Sequence, residues 1–248
     1  MLRVSDLHVF YGASHVLWGV SLEVGAGAVV ALLGRNGAGK STTLKAIIGL
    51  VPARGGRLEL LTPGGWRDVT HLPPWERAAL GIGYVPEERR IFPHLSVREN
   101  LRVGLDRLAP TPRARQQALA RAFDLFPALA DLLDRPGRVL SGGQQQMLAL
   151  ARVLVLEPRI ILLDEPSQGL SPLLADSVME AVTRLGRAGI AVLLVEQNAL
   201  AALEVAEHGY LMDKGTIHHS GTAAALLADQ ATLERILGVA AGDVGGAP

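Results

Sequence analysis

The chain has 248 residues, of which 49% are apolar and only 4% aromatic, so it is long enough for one large α/β domain with a core of aliphatic side chains. The formal net charge is +0, which gives no support for a nucleic-acid-binding protein, because such proteins usually carry a clear basic excess. The absence of cysteine excludes disulfide bonds, thiolate zinc sites and a cysteine nucleophile.

The sequence also predicts no signal peptide and no membrane-spanning helix. The longest apolar runs, around 28–33 and 190–195, have the length of strands. They fall short of the roughly 18 residues that a membrane helix needs. We therefore expect the chain to be soluble in its own right and to meet a membrane only through a partner.

The first third of the chain alternates short β-rich runs with turns. Predicted strands are Val4–Phe10, Val16–Val24, Ala28–Leu33, Arg57–Leu61 and Ile82–Val85. A helix is predicted over Ser41–Ile48, closed by Gly49 at the position after a helix that favours glycine. A second, short helix is predicted over Pro73–Leu80, because proline favours the first turn and Gly81 ends the pattern.

The middle of the chain, about 91–156, has apolar residues at helical spacing and few β-branched runs. It predicts helices over Val97–Leu105, Pro112–Phe126 and Gly142–Leu156. We interpret this segment as a helical subdomain inserted in an α/β core.

Strand and helix alternate again beyond Pro158. The predicted strands are Ile160–Asp164, Ile190–Val195, Tyr210–Met212 and Thr216–Ser220, and the predicted helices are Pro172–Gly186 and Ala199–Glu207. Such alternation predicts a mostly parallel sheet covered by helices. One domain is expected over 1–238, followed by a small, glycine-rich and flexible tail over 239–248.

A glycine-rich segment follows the third predicted strand. The run Gly34-Arg35-Asn36-Gly37-Ala38-Gly39-Lys40-Ser41 matches G-x-x-x-x-G-K-[ST], between a strand and a helix. Glycines allow a tight turn whose N–H groups point at phosphates, and the start of the helix adds positive potential. Lys40 supplies a full charge to the phosphates, and the Ser41 hydroxyl can bind Mg²⁺. The alternative, a chance match, arises in on the order of one per cent of chains of this length.

The apolar run Ile160–Leu163 is followed by two carboxylates, Asp164 and Glu165. Because a parallel strand delivers its C-terminal end to the ligand crevice, Asp164 is expected to hold Mg²⁺ directly or through water. Glu165 is expected to act as general base on the attacking water. Alone, this pattern is equally consistent with a solvated turn before Pro166. The phosphate loop upstream favours the catalytic interpretation.

A third motif, Leu140-Ser141-Gly142-Gly143-Gln144, opens a predicted helix, with Ser141 as its N-cap. By itself this could be an ordinary capped helix after a glycine turn. The three motifs occur in the order and at the separations typical of ABC ATPases, which the chain resembles over roughly 2–238. The resemblance implies an α/β P-loop NTPase fold with a RecA-like core, an antiparallel β subdomain and a helical insert.

The resemblance also implies the residues of the ATP site. The nucleotide-binding positions are Tyr11, Gly34, Asn36, Gly37, Ala38, Gly39, Lys40, Ser41 and Thr42, together with Ser141, Gly142, Gly143 and Gln144 from the opposite subunit of a head-to-tail dimer. Tyr11 matches an aromatic residue that stacks on adenine, although it could be a plain strand-end tyrosine. The catalytic residues are Lys40, Glu165 and Gln197, and Ser41, Glu87 and Asp164 would bind Mg²⁺. The loop Ser167–Ser171 would cross the dimer interface.

Two departures from the usual family pattern narrow the resemblance. Glu87 stands where a glutamine usually follows proline, and Gln197 stands where a switch histidine is usual. Glutamine can donate a hydrogen bond to a phosphate but cannot carry a proton. With the surrounding segments 87–92 and 194–198, both departures resemble the LivF-type ATPases of branched-chain amino-acid importers and the related ATPases of urea and short-amide importers. Alternatively, Glu87 is only a surface residue.

As an importer ATPase, the chain would lie at the cytoplasmic face of the cell membrane. Its expected partners are two membrane-spanning permease subunits, a second identical or sister ATPase and, indirectly, a substrate-binding protein outside the membrane. A groove formed by 87–105 would grip a helix of the permease, with Ile91, Phe92 and Leu95 as candidate contacts. These three residues could equally pack inside the helical insert.

Other function classes fit the sequence less well. Non-transport ABC proteins that act on DNA or ribosomes usually carry two nucleotide domains or a coiled coil, and this sequence shows neither. A P-loop GTPase or kinase would leave Leu140–Gln144 without a role, and the guanine motif Asn-Lys-x-Asp is absent from the sequence. An ATPase of a lipid or lipopolysaccharide exporter is the rival within the transporters.

Overall fold

A computed structural model describes residues 1–108 and 111–237, without the side chains of 107 and 108. The expected flexible tail, 239–248, lies outside the described residues. The fold has two sheets with helices between and around them, in agreement with the predicted α/β class.

The smaller sheet is antiparallel. It consists of β1 (Leu2–Tyr11), β2 (Ser14–Val24), β4 (Ala53–Thr62) and β5 (Gly65–Asp68), in the order β2-β1-β4-β5. Leu2, Val4, Leu7 and Val9 of β1 are buried and lie on the face that packs against the rest of the protein. The edge strand β5 was not predicted, because its sequence, Gly-Trp-Arg-Asp, lacks the β-branched residues that mark a strand.

The larger sheet has six strands. They are β3 (Val29–Gly34), β6 (Ile82–Val85), β7 (Ile160–Asp164), β8 (Ala191–Glu196), β9 (His208–Asp213) and β10 (Thr216–Thr222), in the order β10-β9-β3-β8-β7-β6. All neighbours are parallel except β9 and β10, so the predicted mostly parallel sheet is confirmed. Strands β3, β7 and β8 are buried along their whole length, as expected for the centre of a covered parallel sheet.

Two apolar cores lie on opposite faces of this sheet. Alternate residues of β3 divide between them: Ala31 and Leu33 face one core, and Val30 and Leu32 face the other. The second core contains the antiparallel sheet and α1 (Lys40–Ile48), near α2 (Pro74–Ala79). The first core contains the remaining helices, which are α3 (Val97–Leu108), α4 (Pro112–Leu125), α5 (Gly142–Leu154), α6 (Pro172–Arg187), α7 (Ala199–Val205), α8 (Ala223–Ala228) and α9 (Gln230–Leu237).

The segment between β6 and β7 is helical, as predicted. It contains α3, α4, two short 3-10 helices (Pro127–Leu132 and Gly137–Val139) and α5. Leu101 and Leu105 of α3 pack with Leu148 and neighbouring residues of α5 in the first core. The helices therefore support the start of α5, where the third sequence motif lies.

Candidate functional site

The phosphate loop joins β3 to α1 in a conformation that requires glycine. A Cβ atom on Gly34 would lie 2.4 Å from the carbonyl oxygen of Met212, and one on Gly39 would lie 2.8 Å from Cδ2 of Leu17. Gly39 also has a φ of 109°, which side-chain-bearing residues rarely adopt. It caps α1 without any side chain, so the first N–H groups of the helix are left for an anion.

Lys40 is the first residue of α1 and is only 4% exposed. Its Nζ atom donates hydrogen bonds to the carbonyl oxygens of Gly34, at 2.8 Å, and Arg35, at 3.3 Å. It also forms an ion pair with Oε1 of Glu165, at 3.2 Å. The ammonium group therefore lies between the loop and the carboxylate of Glu165, the residue after β7 (Ile160–Asp164), which is where a phosphate would need a counter-charge.

Asp164, at the end of β7, meets the phosphate loop across the sheet. Its Oδ1 atom accepts a hydrogen bond from Ser41 Oγ at 2.8 Å, although the two residues are 123 positions apart. Its Oδ2 atom accepts one from the Tyr84 hydroxyl at 3.1 Å. Burial raises the pKa of Asp164, and the hydrogen bonds from Ser41 and Tyr84 oppose this shift. A hydroxyl and a carboxylate side by side are the hard oxygen ligands that fit Mg²⁺.

A cavity of about 320 Å³ lies over this loop. It brings together most of the predicted site residues, and its lining consists of Val16, Asn36, Gly37, Ala38, Gly39, Lys40, Ser41, Thr42, Glu87, Glu165 and Gln168. Glu87 thus faces the same space as Ser41. Tyr11 is not part of this lining; it ends β1 and is 47% exposed.

A second cavity, of about 280 Å³, adjoins the first at Glu165 and Gln168. It is lined by Glu165, Ser167, Gln168, Glu196, Gln197 and Asn198. Gln197 and Glu165 therefore share one space, and Glu165 lines both cavities. The φ of Glu165 is 47°, a value that is uncommon for a residue other than glycine and that marks a constrained backbone.

Glu196 and Tyr84 are polar residues of the site that the sequence analysis missed. Glu196 is 2% exposed and accepts hydrogen bonds from the backbone N–H groups of Ser167 and Gln197. Burial raises its pKa, and hydrogen bonds from the Ser167 hydroxyl and from these two N–H groups oppose the shift. Its signal in the sequence was the same as that of Asp164, a carboxylate at the end of an apolar strand.

The third motif starts α5 as predicted. Ser141 Oγ accepts a hydrogen bond from the Gln144 N–H, and Gln144 Oε1 accepts one from the Ser141 N–H, which together form a capping box. A Cβ atom on Gly143 would lie 2.7 Å from Cδ2 of Leu174 on α6, so a larger residue here would have to displace that side chain. Residues 140–144 contribute to the lining of neither cavity described above.

Among the residues that the structure describes, no helix is both long enough and apolar enough to cross a bilayer.

Comparison with known proteins gives matches over nearly the whole chain. It is 37% identical to the high-affinity branched-chain amino acid transport ATP-binding protein BraG of Pseudomonas aeruginosa, over 96% of this chain and 100% of that protein. It is also 37% identical to the probable branched-chain amino acid transport ATP-binding protein LivF of Archaeoglobus fulgidus, over 92% of this chain and 94% of the relative. The chain is 34% identical to the lipopolysaccharide export system ATP-binding protein LptB of Haemophilus influenzae, over 96% of this chain and 97% of that protein.

Solved structures agree with these sequence matches. A nucleotide-free ATP-binding cassette from an ABC transporter superposes with a TM-score of 0.81 at 27% identity, over 97% of this chain and 99% of that chain. The ADP conformation of an ATP-binding cassette of an ABC transporter superposes with a TM-score of 0.80 at 28% identity, over 94% of this chain and 97% of that chain. The family described as ABC transporter matches residues 17–168. The chain therefore belongs to the ABC transporter family, as one of its ATP-binding cassettes.

Proposed function

We propose that this ATP hydrolase energises the import of branched-chain amino acids, bound to a permease at the cytoplasmic face of the cell membrane. The observation that carries the enzymatic part is the convergence of Lys40, Ser41, Asp164 and Glu165 at one end of the sheet. The choice of cargo is supported by the BraG and LivF proteins, at 37% identity each. It is also supported by the LivF-type pattern around Glu87 and Gln197.

Each residue of this cluster has a chemical task. Lys40 and the first N–H groups of α1 neutralise the charge of the terminal phosphates. Glu165 accepts a proton from the water that attacks the terminal phosphorus atom. Gln197, in the same cavity as Glu165, donates a hydrogen bond toward the phosphate. A magnesium ion, when bound, would be held by Ser41, Asp164 and Glu87 and would neutralise phosphate charge.

A second ATPase chain is part of the proposal. The residues of the third motif, Ser141–Gln144, line neither of the two cavities described above. In a head-to-tail dimer, the hydroxyl of Ser141 and the N–H of Gly143 would reach the terminal phosphate bound by the opposite chain. The family resemblance favours a sister subunit as the opposite chain.

A groove beside α2 is a second candidate for the contact with the permease, and it shares only Gly104 with the segment 87–105. It has a volume of about 190 Å³ and is lined by Trp75, Ala78, Ala79, Gly81, Ile82, Gly83, Gly104, Leu156 and Pro158. Trp75 is 64% exposed and lies beside apolar residues of the same groove, and a contiguous exposed apolar patch often marks a binding surface. Of the three candidate contacts, Phe92 is 40% exposed, whereas Ile91 is half-buried and packs against the first core. Leu95 is also half-buried. We therefore propose two separate contacts for the permease, Trp75 in this groove and Phe92 outside it.

Lipopolysaccharide export is the second candidate function, because LptB is 34% identical over nearly the same length. Import of urea or short amides is a third, because the ATPases of those importers share the pattern at Glu87 and Gln197. These alternatives differ in cargo and keep the same ATPase chemistry.

The first test is purification of the tagged chain from native membranes, with identification of the accompanying proteins by mass spectrometry. Two membrane-spanning subunits and a second ATPase are expected. Ribosomal or DNA-repair proteins without a membrane subunit would contradict the transport role and leave the ATPase chemistry intact.

The second test is uptake of labelled leucine in cells that lack the gene. We expect uptake to be lost, to be restored by the parental chain and by Glu204→Gln, an exposed control on α7, and not by Glu165→Gln. Normal leucine uptake combined with loss of surface lipopolysaccharide would replace the import proposal with the export one. Normal leucine uptake with impaired urea uptake would favour the third candidate.

A further inference from the structure

Glu196 lies between the phosphate loop and the end of β7 that carries Asp164. It ends β8, and β8 lies between β3, which leads to the phosphate loop, and β7, which carries Asp164. In the sheet register, Glu196 is opposite Leu33, and Val195 is opposite Asp164. Its side chain is 2% exposed and lines the same cavity as Glu165 and Gln197.

Both carboxylate oxygens of Glu196 accept hydrogen bonds from the backbone. Oε1 accepts from the Ser167 N–H at 3.0 Å, and Oε2 accepts from the Gln197 N–H at 3.2 Å. Burying a carboxylate is costly unless such bonds offset its desolvation. The Ser167 hydroxyl also lowers the pKa of Glu196, whereas the carboxylate of Glu165, which has the same sign, raises it. Hydrogen bonds are therefore the contacts by which the described residues stabilise the charge of this buried acid.

The two bonds connect segments that both contribute to the site. Ser167 is two residues after Glu165, whose own N–H donates to the carbonyl oxygen of Val195 at 2.9 Å. The first and last residues of the segment 165–167 are therefore both hydrogen-bonded to the C-terminal end of β8. Gln197 is fixed by the same carboxylate. The positive φ of Glu165 requires this kind of support, because an isolated chain would leave that conformation.

We infer that Glu196 is a positioning residue for ATP hydrolysis, which holds Glu165 and Gln197 at a fixed separation by bonding the backbone beside each of them. The inference rests on the proposed ATPase chemistry at Glu165. Because Gln197 cannot carry a proton, its contribution depends on where its amide group lies, and Glu196 fixes the backbone from which that group extends.

The test compares Glu196→Gln and Glu196→Asp with the parental chain, each purified from native membranes with its accompanying subunits. Glu196→Gln keeps the size of the side chain and replaces one acceptor oxygen with an NH₂ group, which would face an N–H donor. Glu196→Asp keeps both acceptors on a shorter stem. Glu204→Gln, exposed on the neighbouring helix α7, is the matched control.

We expect Glu196→Gln to lower kcat for ATP by about tenfold or more, while KM and equilibrium ATP binding change less than about twofold, as for a group that acts on the transition state. Glu196→Asp should recover part of the lost kcat, and Glu204→Gln should match the parent. A purely structural role would instead lower thermal stability and ATP binding together with kcat. That result, or a parental kcat in Glu196→Gln, would overturn the inference.

If Glu196→Gln does not fold, Glu196→Asp decides, and a kcat equal to that of the parent then refutes the role. The parental chain and Glu165→Gln separate this inference from the proposed function. If the parent hydrolyses ATP, Glu165→Gln does not and Glu196→Gln equals the parent, the inference alone fails. If the parent does not hydrolyse ATP, both fail.

Discussion

The buried guanidinium of Arg77 gives a quantitative prediction about what holds the phosphate-loop helix in place. Arg77 lies on α2 and is 3% exposed. It donates to the carbonyl oxygens of Ala46 at 2.7 Å and Ile47 at 2.8 Å, near the C-terminal end of α1. It also donates to those of Leu72 and Thr70, each at 2.8 Å. A cation at the C-terminal end of a helix also interacts favourably with the helix dipole.

Replacing Arg77 with methionine keeps much of the aliphatic stem and removes every donor. Each charged hydrogen bond contributes about 1.5–3 kcal/mol, but burying the guanidinium has a cost, which also lowers the pKa of Arg77. Removing the guanidinium leaves no buried charge, but each of its backbone carbonyl acceptors that stays buried without a donor costs about 1–3 kcal/mol. Because the Ala46 carbonyl also accepts a bond from the Gly49 N–H, we count the other three carbonyls at the lower end of this range, about 3 kcal/mol in total. For a chain of this size, that corresponds to a fall in Tm of roughly 6–12 °C.

Urea unfolding followed by circular dichroism, together with a thermal scan, measures this effect. The control is Arg67→Met, at an exposed position on β5, for which a change within about 0.5 kcal/mol is expected. Arg77→Lys should fall between the two, because one ammonium group with three donors cannot replace the planar guanidinium at four carbonyl groups. A free energy of unfolding for Arg77→Met within 1 kcal/mol or so of the parental value would show that the network is energetically neutral and that our reasoning is wrong.

Three further substitutions test the site. Glu165→Gln should bind ATP but lower kcat by about 10²–10⁴, the usual contribution of a general base, and phosphate release within threefold or so of the parental rate would exclude that role. Tyr84→Phe removes one of two hydrogen bonds to Asp164, worth about 1 kcal/mol, so the Mg²⁺ concentration for half-maximal ATPase should rise by about fivefold; an unchanged Mg²⁺ titration would contradict this. Gln197→Ala should lower kcat by about tenfold, with less effect than Glu165→Gln, and a parental rate would show that Gln197 has no catalytic role.

Local patterns in the sequence predicted the fold wherever one segment determines its own structure. The strands Ile82–Val85 and Ile160–Asp164 have the predicted bounds, because buried parallel strands are short apolar runs with clear ends. Gly49 ends α1 with a φ of 87°, as the glycine after a helix predicts. Ser141 caps α5 with the predicted side-chain bond.

Features that depend on distant segments were harder to predict. The helices α8 and α9 were not assigned, because each is short and depends on packing of residues such as Leu226 and Leu233 into the first core. The bond from Tyr84 to Asp164 requires β6 and β7 to be neighbours, which no local pattern specifies. Glu196 was overlooked for the same reason, because its role depends on the position of β8 between β3 and β7.

The two parts of the proposed site are already shaped in the single chain, which constrains how a complete site would form. On one side, Lys40 is held by the carbonyl oxygens of Gly34 and Arg35. On the other side, the capping box fixes Ser141, and Leu174 packs against Gly143. In the proposed dimer, the nucleotide between these two surfaces would supply the contacts that neither chain has alone.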